Sequence, residues 1–241
     1  VSVSIVREGA VWRLTIARPE KANALDEATV MALHEAVVAA PGAGARLIVL
    51  AGEGRHFCAG FDFGDLEQLS DGDLLARFVA VEGLLQAVYH APIATLALAQ
   101  GRVFGAGADL FAACDTRLAA PGASFLMPGP RFGIVLGTRR LADRIGETAA
   151  RAIQTANRAI DAEEAVRLGF ASAVADQDDW PAALMAAAET ASGLDADTVA
   201  ALRLATVTDH RDADLAALVR SAARPGLKAR IQAFRAAAAR R

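Results

Sequence analysis

Lysine is almost missing from this chain: of 241 residues only Lys21 and Lys228 carry it, and arginine supplies the remaining basic side chains apart from histidine. That skew, like the abundance of alanine, reads as base composition. With a net charge of −3 and both signs interspersed, no basic stripe is available for nucleic acid or an anionic membrane surface. Cysteine is scarce as well. Cys58 and Cys114 stand in neither a CxxC pair nor a histidine-rich stretch, which argues against a disulfide framework and fits free, packed thiols in a reducing cytoplasm. The four histidines, at 34, 56, 90 and 210, show no metal-ligand spacing. No run approaches the ~20 uninterrupted apolar residues that cross a bilayer. The opening "VSVSIVREG" alternates like a strand and lacks the charged start and apolar centre of a signal peptide. A cytoplasmic protein with no metal, membrane or nucleic-acid partner is expected.

What is present is length enough for one large domain, or one domain with a small appendage, burying roughly 70% of its unfolded surface. "VSVSIVREGAVWRLTIARP" (Val1 to Pro19) predicts two strands around a Glu8-Gly9 turn. Asp26 predicts the cap of a helix, "DEATVMALHEAVVAA", ending before Pro41-Gly42. "RLIVLAG" (Arg46 to Gly52) predicts a buried strand, and Asp71 opens a long amphipathic helix stopped by Pro92. The apolar run "PIATLALA" predicts a strand, followed by short strands at 116–120 and 124–127 and helices at 138–145 and 147–155. Asp161 caps one more short helix, and "ASAVA" reads as a last strand. The strand-strand-helix rhythm repeats about three times, which implies a layered α/β core over residues 1–180. Residues 181–241 read as helix alone, a cap or oligomer contact, with "RPGLKARIQAFRAAAARR" a solvated basic helix.

Two stretches carry features that folding alone does not ask for. In "RHFCAGFDFGDL" the chain leaves the predicted strand through Ala59-Gly60 and enters Phe61-Asp62-Phe63. Residues with so little side chain admit close approach to the backbone. In "GRVFGAGADLFAACD", Gly105-Ala106-Gly107 opens a helix of small residues. The first amides of such a helix lack intrahelical partners and carry partial positive charge, so an oxygen gaining negative charge is well received there. Close helix packing also favours glycine and alanine. A dinucleotide fingerprint fails on two counts: Leu110 occupies the place of the third small residue, and residues 101–104 separate the predicted strand from Gly105. A phosphate-cradling GxxxxGK[ST] is absent, and His56 reads as a surface residue.

With these segments in view the chain resembles the crotonase family, the enoyl-CoA hydratases and isomerases. The matching pieces are "ARPEKANAL", "HFCAGFDF", "GAGADLFAACDTRLAA", "FLMPGPRFGI" and "RIGETAARAI" with "AIDAEEAVRLGFASAV". The resemblance implies a crotonase-like spiral of strand-strand-helix units with a C-terminal helical segment, and trimers or pairs of trimers. It implies that two main-chain amides, here those of Phe61 and Ala106, hold the thioester oxygen of an acyl-coenzyme A while an enolate forms. Ala59, Gly60, Gly105 and Gly107 would let the thioester approach. Coenzyme A, as part of the substrate and not a separate cofactor, would lie along Lys21, Ala22 and Ala24, with its adenine near Ala59, Asp62 and Phe63. Arg18, Lys21 and Arg55 are candidates for its phosphates, and Lys228 or Arg230 could reach it from the last helix.

The family's hydratases divide acid and base work between two glutamates. The first falls here on Asp109; the second falls on Gly129, which cannot transfer a proton. The following "GIVLGTRRL" is about three residues shorter than the family's usual loop. Asp109 is either a proton-transferring group or an ordinary acidic residue in a first helical turn. Arg131 could point inward and hold a substrate carboxylate, and Glu82 is a possible substitute carboxylate, although both positions read as solvent-facing charges. The resemblance therefore implies enoyl-CoA hydratase or isomerase chemistry through an enolate. It leaves open another reaction on a coenzyme A thioester, such as hydrolysis or decarboxylation, and a homologue that binds coenzyme A without catalysis.

Overall fold

A computed structural model describes residues 2–238 and 240; Val1, placed above in the first strand, and Ala239 and Arg241, placed in the last helix, lie outside the described residues. The chain starts with a hairpin, β1 (Val3–Glu8) and β2 (Val11–Ile16), whose strands pair antiparallel. Next come α1 (Glu27–Gly42), β3 (Leu47–Gly52) and α2 (Asp71–Tyr89). The middle holds β4 (Ala94–Ala99), β5 (Arg102–Phe104), α3 (Ala106–Ala113), β6 (Thr116–Ala119) and β7 (Ser124–Leu126). α4 (Thr138–Ile145), α5 (Glu147–Ala156), β8 (Ile160–Asp161), α6 (Ala162–Leu168) and β9 (Ala173–Val174) complete the mixed part. Four helices follow: α7 (Trp180–Ser192), α8 (Ala196–Thr206), α9 (Arg211–Ala222) and α10 (Leu227–Ala238).

One six-stranded sheet runs β1-β2-β3-β4-β6-β9, parallel from β2 onward, so each turn of the chain lays its strand beside that of the turn before. The second strand of each turn builds another ladder, β5-β7-β8, which single bridges between Cys58 and Val103 and between Leu25 and Phe61 continue toward the N-terminus. This is the spiral of repeated units that the family resemblance implies, built on the layered α/β core that the sequence rhythm predicts. The apolar runs are unbroken because the main sheet is covered on both faces. In β3, Ile48 and Leu50 face the principal core, while Leu47 and Val49 face a second cluster closed by Ala183, Leu184, Ala187 and Ala191 of α7.

Local signals act where the chemistry places them. The Asp26 carboxylate accepts from the Thr29 amide and opens α1. Ser70 and Asp73 form a reciprocal capping box at α2, so the cap lies one residue before Asp71. α1 continues through Pro41 to Gly42, past its predicted end: the proline forfeits its own amide bond and crowds the carbonyl of Val37, and the helix stops one residue later. α10 is not merely solvated: Leu227 and Ile231 are fully buried and the Phe234 ring meets that of Phe132 at 5.2 Å. Among the described residues, no helix is long and apolar enough to cross a membrane.

Candidate active site

The two stretches singled out by their small residues meet. A Cβ built on Gly60 would fall 2.6 Å from the carbonyl oxygen of Phe104 and 3.4 Å from the amide nitrogen of Ala106, and one built on Gly107 would fall 2.4 Å from the carbonyl oxygen of Cys58. Only glycine fits such contacts, and Gly60 and Gly105 also have positive φ, 95° and 52°. The turn after β3 is pinned from the other side by residues 22–25: Ala59 donates to Ala22, Leu25 to the Gly60 carbonyl at 2.7 Å, and Asp62 to Leu25. In a trans peptide the N–H points opposite to the C=O. Since the Gly60 carbonyl faces Leu25, the Phe61 N–H faces away from it. Among the described residues no hydrogen bond uses the Phe61 amide, and Ala106, first residue of α3, has no intrahelical acceptor. β5 runs directly into Gly105, so one of the two grounds against a dinucleotide fingerprint falls; the other stands, with Leu110 fully buried.

Asp109 lies in the first turn of α3 and is 6% exposed. Burial pushes its carboxyl well above the usual aspartate range, the Arg140 guanidinium works against that rise, and Glu82 adds to it. Gly137, with φ 64°, packs so closely that a Cβ there would lie 2.1 Å from Asp109 Oδ1. Glu82 is not a surface charge: it is 1% exposed on α2 and paired to Arg140, itself 2% exposed, at 2.5 Å. Gln86 also donates to it, so this carboxylate is already committed. Arg131 is exposed and donates to the Ala156 carbonyl. At Gly129, the residue that the resemblance matches to the second glutamate, a Cβ would lie 3.2 Å from the carbonyl oxygen of Ile134. Pro128 sits next to Gly105, which places this wall at the mouth of α3.

The basic candidates divide. Arg18 pairs with Asp62 at 2.8 Å and Asp26 at 3.1 Å and also donates to the Ala24 carbonyl, so its charge is spent within the fold. Asp62 is held below the ordinary value: burial raises it, but the Gly64 amide and Arg18 outweigh that. Lys21 and Arg55 are exposed, Phe63 is half-buried beside Phe61 at 4.9 Å, and Ala22 sits in a left-handed turn with φ 50°. Lys228 donates to the Glu67 carbonyl, and Arg230 to those of Phe132 and Gly133, so both tie α10 to its own chain. His56 accepts from the Arg102 amide.

Three features escaped the sequence reading. Asn23, fully buried with φ 56°, donates to the Glu53 and His56 carbonyls and accepts from the Arg18 amide. Gln100 donates to the Gly52 and Gly54 carbonyls. Arg77, 8% exposed on α2, lies over the Phe61 ring at 4.6 Å. Both amides are signalled only by their place beside turns that leave carbonyls without strand partners, a signal too common to stand alone.

The family model for enoyl-CoA hydratase/isomerase matches residues 6–225. The chain belongs to the enoyl-CoA hydratase/isomerase family. Its members include relatives close enough to align over most of the chain. The Mycobacterium tuberculosis protein named probable enoyl-CoA hydratase echA6 is 34% identical over 187 residues, 75% of this chain and 74% of its own. A probable enoyl-CoA hydratase of Rhodobacter capsulatus is 40% identical over 162 residues, 65% of this chain and 62% of its own. The crystal structure of an enoyl-CoA hydratase/isomerase candidate from Bordetella parapertussis superposes with TM-score 0.96 at 53% identity, covering 97% of this chain and 98% of that one. The crotonase fold and membership of an acyl-CoA-processing enzyme family follow; the reaction is a question for the residues lining this family member's own site.

Proposed function

We propose that this enzyme binds an acyl-coenzyme A with its thioester oxygen between the amides of Phe61 and Ala106, and that the reaction passes through the enolate. The observation that carries the reading is the meeting of two unspent amides across Gly60, at the start of a helix. Charge grows on the thioester oxygen as the enolate forms, so donors fixed beforehand favour the transition state over the bound substrate. Asp109 is the proton-transferring group: it is the buried acid at the same helix start, and a raised proton affinity suits exchange with a carbon centre near neutral pH. The coenzyme A passes Lys21, Ala22 and Ala24, with Lys21 and Arg55 as the exposed cations for its phosphates.

A second reading, decarboxylation or hydrolysis of a coenzyme A thioester, is favoured by one observation. The position of a second carboxylate is glycine, and Ile134 stands beside it. Two-carboxylate hydration has no second partner here, whereas loss of carbon dioxide into the same enolate needs one proton donor. Crotonyl-coenzyme A hydration, followed by loss of the enoyl absorbance, separates the two when run beside a panel of β-carboxyl acyl thioesters. On either reading, Ala106→Pro deletes one donor at a helix position that tolerates proline and lowers the rate by about 10²–10³. A folded Ala106→Pro enzyme with full activity overturns the paired-amide reading.

A further inference from the structure

Phe61 offers its amide to one side and its ring to the other, and the ring is gripped. It stacks on Phe78 of α2 at 4.4 Å and 26°. Over it lies the guanidinium of Arg77, one residue earlier on the same helix, 4.6 Å from the ring centroid. The same guanidinium reaches past the ring to the backbone that carries it: Nη1 meets the Asp65 carboxylate at 2.8 Å and Nη2 donates to the Asp62 carbonyl at 3.2 Å. Residues 59–65 form no regular element of their own. One edge of this turn hangs on residues 22–25; Arg77 is a side-chain clamp on the other.

We propose that Arg77 is a positioning residue for the Phe61 amide, holding the 61–65 turn at the angle that aims this N–H at the substrate oxygen. The inference rests on the paired-amide reading above. A cation buried to this degree costs stability unless its donors are used and its face is covered. Arg77 meets that condition through groups of one short turn. The Leu25 amide on the Gly60 carbonyl sets the plane of the Gly60–Phe61 peptide. Arg77, on the Phe61 ring and the Asp62 carbonyl, holds the residues after it, so the clamp resists a displacement of the turn that would carry the donor out of place. It also lines, with Leu25, Val30, Leu69 and Val81, a cavity of about 210 Å³ beside the ring. Without the guanidinium the turn has room to relax into that space.

The test uses butyryl-coenzyme A labelled with ¹³C at the thioester carbonyl, bound to the full-length enzyme. Infrared difference spectra read the carbonyl stretch, which moves to lower frequency in proportion to hydrogen bonding, and calorimetric titration reads Kd. Wild type is expected to show a downshift. Arg77→Met, which keeps the apolar stem, is expected to lose half or more of that downshift with Kd changed less than about threefold, and Arg77→Lys is expected to recover part of it. Should Arg77→Met fail to fold, Asp65→Ala, altering only the exposed partner, is expected to weaken the downshift to a lesser degree. A full downshift in every folded variant overturns the assignment. Absence of a downshift in wild type removes the paired-amide reading and this inference with it, whereas a normal wild-type spectrum unaffected by the variants removes only the role of Arg77.

Discussion

Replacing Asp109 by Asn removes a proton site while keeping the shape of the side chain. Because burial raises this carboxyl, the folded state favours its neutral form. The associated stability is complete below the ordinary aspartate value of about 3.9 and is lost as pH rises toward the folded value. Asp109→Asn should therefore gain in Tm over wild type as pH goes from about 4 to 8. The gain should be on the order of 2–4 °C, what about 1 kcal/mol produces in a domain of this size. Calorimetric scans at both pH values check it; a difference that stays constant would show the carboxyl to be well solvated. Activity should fall sharply in the same variant if Asp109 moves the proton. Gly137→Ala asks the same question from outside. A methyl group there collides with Oδ1 and the left-handed backbone adds about 1–2 kcal/mol of strain, so stability measured in denaturant and turnover should fall together. Asp109 and the vacancy at Gly129 were singled out by the family resemblance alone, since an acidic residue in a first helical turn is ordinary. Gly137 was not, because nothing local to the loop says which side chain it will touch. Glu82 misled for the same reason: α2 is buried on more of its circumference than its charge pattern suggests.

Among the elements, α10 is held by an acid on another helix. The Asp71 carboxylate accepts from the amides of Gly226, Leu227 and Lys228, and Gln232 donates to Glu67 nearby. These amides, that of Lys228 first, hold the Asp71 carboxyl below its ordinary value. The tether is thus intact above about pH 4 and weakens as pH falls through the folded value. Asp71→Ala should loosen α10 at neutral pH, seen as faster tryptic cleavage after Lys228 and Arg230; an unchanged digestion rate would refute the tether. Leu227, Ile231 and Phe234 were spaced for a helix face all along, but the surrounding arginines and alanines gave that stripe little contrast. The longer strands and helices were readable from period and caps, and the short β6, β7 and β9 from the turn residues around them. β5 and β8, of three and two residues, were not, because β5 runs straight into the small-residue start of α3 and β8 ends on Asp161, the cap of α6, so no turn residues set them apart.

Across the whole molecule, the buried Glu82–Arg140 pair joins α2 to α4, and Asp214 of α9 closes the group by accepting from Arg139 at 2.7 Å and facing Arg140 at 3.6 Å. Glu82→Leu leaves a buried guanidinium short of its partner and should cost about 3–5 kcal/mol, while Glu82→Leu with Arg140→Met should recover most of it. Denaturant midpoints of the two variants decide this; a double variant that loses as much as the single one would show that the stranded guanidinium is not the cause of the loss. The spiral itself has a further result. The amides of Phe61 and Ala106 belong to successive coils of the chain, and the rung between Cys58 and Val103 sets the pitch between those coils. The segment around 129–137, whose Gly137 packs on Asp109, branches off beyond that rung. On the proposed reading it can be lengthened, shortened or rewritten without altering the gap between the two amides, so one scaffold could change the fate of an enolate while keeping the means of making it.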